Sequence, residues 1–180
     1  MGFTLRPLDP DADLDLVHDW VTQERAVFWG MTDHTREQVR EVYAFLASLD
    51  THHAYLVHEG RDGSERSVAI FQTYEPEHDP VGEVYDVQPG DLGVHLFVGP
   101  GDRVPGFTGA LTRFVVGEVL TDPAVRRIVV EPDVRNERSV ARFLREGFVP
   151  GPVVDLGHKT AQLAFLTRDQ APKGLPVAAS

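Results

Sequence analysis

Cysteine is absent from this 180-residue chain, which excludes disulfides, thiolate-bound zinc and any cysteine nucleophile, and leaves the redox compartment open. No apolar run approaches the roughly 20 residues needed to cross a bilayer. The N-terminal segment runs through Pro7 into an acidic stretch from Asp9 to Asp15, without the apolar core and small-residue cleavage site of a secretory signal. A cytoplasmic protein with no membrane contact is expected. An excess of positive charge is also missing: 17 Lys and Arg against 28 Asp and Glu leave a net charge of −11. That balance opposes phosphate backbones and suits a cationic small molecule, so nucleic acid is not an expected partner. Internal repeats and low-complexity segments are lacking as well, and oligomeric state is not readable.

What remains is the composition of an ordinary globular domain, 42% hydrophobic and 25% charged, long enough to bury a sizeable core. One domain is expected over residues 1–168, with a Pro- and Gly-containing C-terminal tail over 169–180. Phe3 to Leu8 alternates like a strand, and Ala12 to Val21 repeats at helical spacing. Thr35 is a candidate N-cap for a helix carrying Val39, Val42, Tyr43, Leu46 and Leu49. Ala54–His58 and Ser67–Tyr74 read as strands joined by a hairpin loop from Glu59 to Gly63. A long loop with six carboxylates follows: Glu75, Glu77, Asp79, Glu83, Asp86 and Asp91. It has no Lys or Arg, so it is either a solvated loop or an attractor of cations. Then come a strand at Gly93–Val98, a helix at Thr108–Leu120, a strand at Arg127–Glu131, a helix from Asn136 stopping at Gly147, and strands near Val153–Asp155 and Ala161–Leu166. The pattern predicts a mixed α/β domain.

Between the strand ending at Val98 and the next helix lies Arg103-Val104-Pro105-Gly106-Phe107-Thr108-Gly109. Two glycines there let the backbone approach a ligand, and a helix N-terminus presents unpaired N–H groups suited to a pyrophosphate. The turn is followed by a strand, then by Pro132-Asp133-Val134-Arg135-Asn136-Glu137-Arg138-Ser139 and Phe143-Leu144-Arg145-Glu146-Gly147-Phe148. This layout resembles the GNAT acetyltransferase superfamily. Adding Phe28-Trp29-Gly30-Met31, Gly93-Val94-His95-Leu96 and Val130-Glu131-Pro132, the chain is similar to the N-acyltransferases of hydroxamate siderophore biosynthesis that act on lysine, hydroxylysine and related diamines.

The resemblance implies a GNAT fold, a mixed central sheet of about seven strands flanked by about four helices, with splayed strands forming an acyl-CoA cleft. It implies acetyl-CoA or another acyl-CoA as co-substrate, a small amine or N-hydroxyamine acceptor, and no metal. His95 is then the candidate base, with Asp133 orienting either that imidazole or the substrate amine. The pantetheine arm would meet the backbone of Phe97, Val98 and Gly99. The diphosphate would meet Arg103 and the amides of Gly106, Phe107, Thr108 and Gly109, and the outer phosphate Arg135, Arg138 or Arg142. Asn136 either bonds the pantetheine or caps its helix. Trp29, Gln72 and Tyr74 are candidates for the amine pocket, the last two sharing a strand face. Phe143 departs from the superfamily pattern, which often places a proton-donating tyrosine there. Direct transfer is expected, because no serine or cysteine is set to carry the acyl group. An aminoglycoside-type acetyltransferase and a non-catalytic acyl-CoA-binding protein are the competing expectations.

Overall fold

Local signals set most of the element boundaries. Thr35 accepts a hydrogen bond from the Gln38 amide while its own amide donates to the Gln38 side chain, a reciprocal cap that starts a helix at Arg36. Gly147, at φ 98°, supplies the left-handed residue that ends the last helix. The computed structural model describes residues 2–61 and 64–176. In it, strands β1 (Gly2–Pro7), β2 (His52–Arg61), β3 (Ser64–Tyr74), β4 (Asp91–Val98), β5 (Arg127–Val130), β6 (Val149–Asp155) and β7 (Thr160–Thr167) form one sheet in the order β1-β2-β3-β4-β5-β7-β6. The α-helices are α1 (Leu14–Val21), α2 (Arg36–Ala47), α3 (Phe107–Val119) and α4 (Glu137–Arg145), with short 3-10 helices at Glu24–Trp29, Pro76–His78 and Pro80–Glu83.

The sheet separates two apolar layers. On one face Val17, Trp20 and Val21 of α1 and Val39 and Tyr43 of α2 pack on Leu56, Ile70 and Phe97. On the other, α3 buries Phe107, Leu111, Phe114 and Val115, and α4 adds Phe143, against Val57, Phe71, Val94 and Ile128. Each such aromatic or aliphatic side chain taken from water contributes roughly 1.5–3 kcal/mol. Ala171 and Leu175, beyond β7, are partly buried against the second layer, and a Cβ on Gly117 of α3 would come within 2.2 Å of the Pro176 carbonyl. No helix among the described residues is long and apolar enough to cross a membrane.

All neighbouring strands run antiparallel except β4 and β5, which are parallel and pair only over Asp91–Gly93 with Arg127–Val129. Past that point β4 stays with β3 as far as Ala69 opposite Val98. The chain after β5 instead follows β7: Gln162 donates to the Pro132 carbonyl at 2.9 Å and Val134 donates to Thr160 at 3.0 Å. The two central strands therefore diverge and leave a cleft at the middle of the sheet.

The structure corrects two loop readings. Glu59 to Arg61 belong to β2 rather than to a hairpin loop, because Glu59 sits opposite Arg66 and accepts its guanidinium at 2.8 Å; Asp62 and Gly63 lie outside the described residues. The acidic segment from Glu75 holds two 3-10 helices, and its last carboxylate is not solvated. Asp91, buried, accepts from Arg127 Nε at 2.7 Å and Nη2 at 2.6 Å, from the Tyr85 hydroxyl at 2.9 Å and from the Gln88 amide at 2.9 Å. This pair clamps β4 to β5 where they touch. Replacing Asp91 by Asn strands the Arg127 charge and is expected to lower the unfolding free energy by about 3 kcal/mol, read as a lower urea midpoint at unchanged slope.

Candidate active site

The cleft begins with register. Gln72 on β3 lies directly opposite His95 on β4, and its Oε1 is 3.3 Å from His95 Nδ1. On the other side, the parallel pairing of Gly93 with Val129, extended by two residues, brings Glu131 beside His95. His95 Nε2 lies 2.5 Å from Glu131 Oε1, and Lys159 Nζ donates to the same oxygen at 3.3 Å. Glu131 is buried. Burial alone raises its carboxyl, but His95 and Lys159 more than offset this and hold it at about 2, so it is an anion at any physiological pH.

Two arrangements of protons fit this geometry. With both ring nitrogens donating, to Glu131 and to the Gln72 carbonyl oxygen, the ring is an imidazolium. With Nε2 alone protonated, the lone pair sits on Nδ1, and rotating the Gln72 amide offers it an N–H. Glu131 thus fixes the tautomer, and Nδ1 is the nitrogen free to exchange a proton.

Aromatic rings shape the rest. Tyr74 lies 4.9 Å from the His95 ring and stacks on His52 at 5.9 Å between centroids. Its ring covers Gly93, where a Cβ would come within 2.0 Å of it, so the glycine is a steric requirement of the tyrosine. Among the described residues the buried Tyr74 hydroxyl has no partner at hydrogen-bond geometry; burial, and then the charges of Glu131 and Asp79, push its pKa well above that of a free phenol. Trp29 donates its indole N–H to the Tyr43 hydroxyl at 3.2 Å, and its ring stands 6.2 Å from His95 and 5.3 Å from Phe97.

The cleft that runs through His95 has a volume of about 1040 Å³. One arm is cationic, lined by Arg25, Arg103, Arg135, Arg138, Arg142 and Arg145, although the chain as a whole carries −11. At its floor α3 starts from Gly106, at φ 84° and with no capping side chain. The Phe107 amide donates to Val104 and the Ala110 amide to Gly106, which leaves Thr108 and Gly109 among the amides with no intrahelical acceptor.

The residues expected from the sequence fall into place unevenly. His95, Gln72, Tyr74 and Trp29 converge. Asp133 does not reach His95: its carboxylate takes Arg135 through bonds of 2.9 and 2.6 Å, and Glu131 occupies the position beside the imidazole. Asn136 accepts from the Ser139 amide at 3.2 Å and caps α4. Arg103 donates to the Gly99 and Pro100 carbonyls at 2.7 and 2.9 Å, with its guanidinium 4.7 Å from the Phe107 ring; it shapes the loop after β4 while lining the cleft. The Val98 carbonyl accepts from Arg25 at 2.9 Å. Phe143 is buried against Phe148 at 5.2 Å. Glu131 and Lys159 are the residues that sequence reasoning missed. Lys159 is one of two lysines in the chain, and Glu131 lies as far beyond Val129 as His95 lies beyond Gly93, a relation that shows only once the Gly93–Val129 pairing is known. Among the described residues no group of three or more His, Asp or Glu side chains is placed to hold a metal ion.

Residues 9–156 match the family model described as an acetyltransferase (GNAT) domain. The chain is 30% identical over 146 residues to lysine N-acyltransferase MbtK of Mycobacterium sp. (strain MCS), covering 78% of this chain and 58% of that protein. It is 26% identical over 172 residues to N(6)-hydroxylysine O-acetyltransferase of Escherichia coli, covering 92% and 52%. It spans little more than half the length of these relatives. Aminoglycoside acetyltransferase AAC(6')-Ib, solved with paromomycin and acetyl-CoA, has the same fold, with a TM-score of 0.80 at 23% identity over 94% of this chain and 96% of that one. The seven-stranded sheet with its parted centre and the match over most of the chain agree: this protein belongs to the acetyltransferase (GNAT) family.

Proposed function

We propose that this chain transfers an acyl group, acetyl being the simplest, from an acyl-CoA to the side-chain or terminal amine or hydroxylamine of a lysine-, ornithine- or diamine-type acceptor, as in the assembly of hydroxamate siderophores. The names of the two relatives supply the acceptor class. Such a donor puts the reaction in the cytoplasm.

The fit to acyl-CoA rests on three features of the cleft. Beyond Gly93 the edge of β4 toward β5 is unpaired, as required for pantetheine amides to add on as an extra strand. The amides of Thr108 and Gly109 and the positive end of α3 suit a diphosphate. Arg138, Arg142 and Arg145 supply the charge for an outer phosphate. Bound there, the co-substrate contributes a thioester carbonyl open to attack by nitrogen.

The observation that carries the reading is the His95–Glu131–Lys159 array at the point where the strands part. Neutral His95, with its Nε2 proton on Glu131, takes the proton of the attacking nitrogen at Nδ1 beside Gln72. Glu131 holds the ring through Nε2 meanwhile, and Lys159 pairs with the same carboxylate oxygen. Phe143 has no proton to give, and no side chain of the array forms a covalent adduct.

Thiol release from acetyl-, malonyl- and succinyl-CoA over a set of amines and N-hydroxyamines tests the activity. His95→Ala is expected to lower kcat/KM by about 10²–10⁴-fold and to abolish the ascending limb of the pH profile; undiminished turnover with an unchanged profile would remove His95 as base. Glu131→Gln tests the dyad through stability. The Glu131 pKa falls on folding from the ordinary 4.5 to about 2, so its stabilisation is complete above pH 4.5 and is lost as pH falls through about 2. The variant is expected to be less stable than the parent at pH 7 by on the order of 3 kcal/mol, a gap that narrows below pH 4.5 in chemical unfolding.

A further inference from the structure

A second cavity of about 520 Å³ meets the main cleft at Leu46, Gln72, Asp79, Pro80 and His95. It extends away from the arginine arm, between the end of α2, the start of β2 and the end of β3. One wall is apolar, made by Phe45, Leu46 and Leu49, and Tyr74 and His52 present their stacked rings to it.

Imidazoles apart, its charges are few and of one sign. Among the described residues Asp79 is the one carboxylate that lines it and no Lys or Arg does, while His52, His53, His78 and His95 all do. Asp79 is held in place: Oδ1 accepts from the Val81 amide at 3.0 Å, while Oδ2 is 3.6 Å from His52 Nε2. Two further histidines line this end: His78, whose Nε2 is 3.6 Å from Glu75 Oε2, and His53, whose ring lies 6.5 Å from that of Tyr55. The His52 and His78 imidazoles are therefore turned toward carboxylates. The cations on the opposite side of His95, Lys159 and Arg135, are likewise paired, with Glu131 and Asp133.

This distribution discriminates among acceptors that present a nitrogen to His95. An amino acid carries a carboxylate as well, and in this cavity that group would lose its water opposite Asp79 with no Lys or Arg among the described lining residues to receive it, a cost of several kcal/mol. A polycation such as an aminoglycoside would bring several ammonium groups to a single carboxylate. A methylene chain ending in one ammonium matches every wall: the chain lies along Phe45, Leu46 and Leu49, and the charge sits at Asp79 over the faces of Tyr74 and His52.

We infer that the acceptor is a linear aliphatic diamine or its mono-N-hydroxy derivative, one nitrogen at His95 and the other bound as ammonium at Asp79. The inference rests on the acyl-transfer reading above and narrows it: it selects the decarboxylated acceptor over the amino acid from which such a diamine derives. A decarboxylation must then supply the substrate.

The test compares cadaverine, N-hydroxycadaverine, lysine, N6-hydroxylysine, n-pentylamine and kanamycin as acceptors, with acetyl- and succinyl-CoA, in the full chain and in Asp79→Asn. The substitution keeps the acceptor atom for the Val81 amide and removes only the charge. The diamine or its hydroxylated form is expected to exceed both the lysine-type acceptor and n-pentylamine by about tenfold or more in kcat/KM. In Asp79→Asn its advantage over n-pentylamine is expected to vanish, mainly through KM. A lysine-type acceptor or kanamycin used as well as the diamine, or an advantage that survives Asp79→Asn, overturns the inference and leaves acyl transfer standing. No thiol release with any amine overturns both.

Discussion

The parting of β4 from β5 after three paired residues is the constraint on which the rest of the molecule depends. It is set by the outer neighbours of the two strands. β3 holds β4 from Gly93 to Val98, and β7 holds the chain at and beyond Val130, so the two central strands are carried apart by the strands on their other edges. The buried Asp91–Arg127 pair acts as the rivet at the closed end. From this one divergence follow an unpaired strand edge in the middle of a sheet, a cleft open to both apolar layers, and a histidine whose two neighbours come from strands on opposite sides of it.

The same geometry explains what could be read from the chain and what could not. The strand and helix succession, the cap at Thr35, the stop at Gly147 and the position of His95 on a strand beside a glycine turn depend on near neighbours in sequence, and those were legible. Glu131 was not, because its role is decided by how far β4 and β5 stay in register, and that is settled by β3 and β7. Asp133, two residues on, carries the more suggestive turn context yet is claimed by Arg135, two residues further along the chain. Asp91 read as part of a solvated acidic loop for a similar reason: its partner lies 36 residues away, and no local pattern announces it. Arg103 looked like a phosphate ligand because Arg beside a glycine turn is suited to that, whereas its guanidinium is largely taken up by the carbonyls of its own loop.

Charge in this protein is sorted rather than spread. The chain is acidic, yet one arm of the cleft is lined by arginines, while the cavity beyond His95 has, among the described residues, a single carboxylate and no Lys or Arg. The Glu131 carboxylate lies between the two, buried, with His95 and Lys159 both directed at one of its oxygens. Such an arrangement gives the two ends of the cleft different tastes for ligands while using the same sheet as scaffold.

The choice of cation in that arm has a chemical meaning of its own. Of the 17 cationic side chains, 15 are arginine, and the one lysine lining the cleft spends its ammonium on Glu131. A guanidinium stays protonated and offers no nitrogen lone pair, so under the acyl transfer proposed for this chain such a wall could face a thioester without being acylated itself. A wall built of free lysines would offer the same charge and, under that proposal, would itself be open to slow acylation.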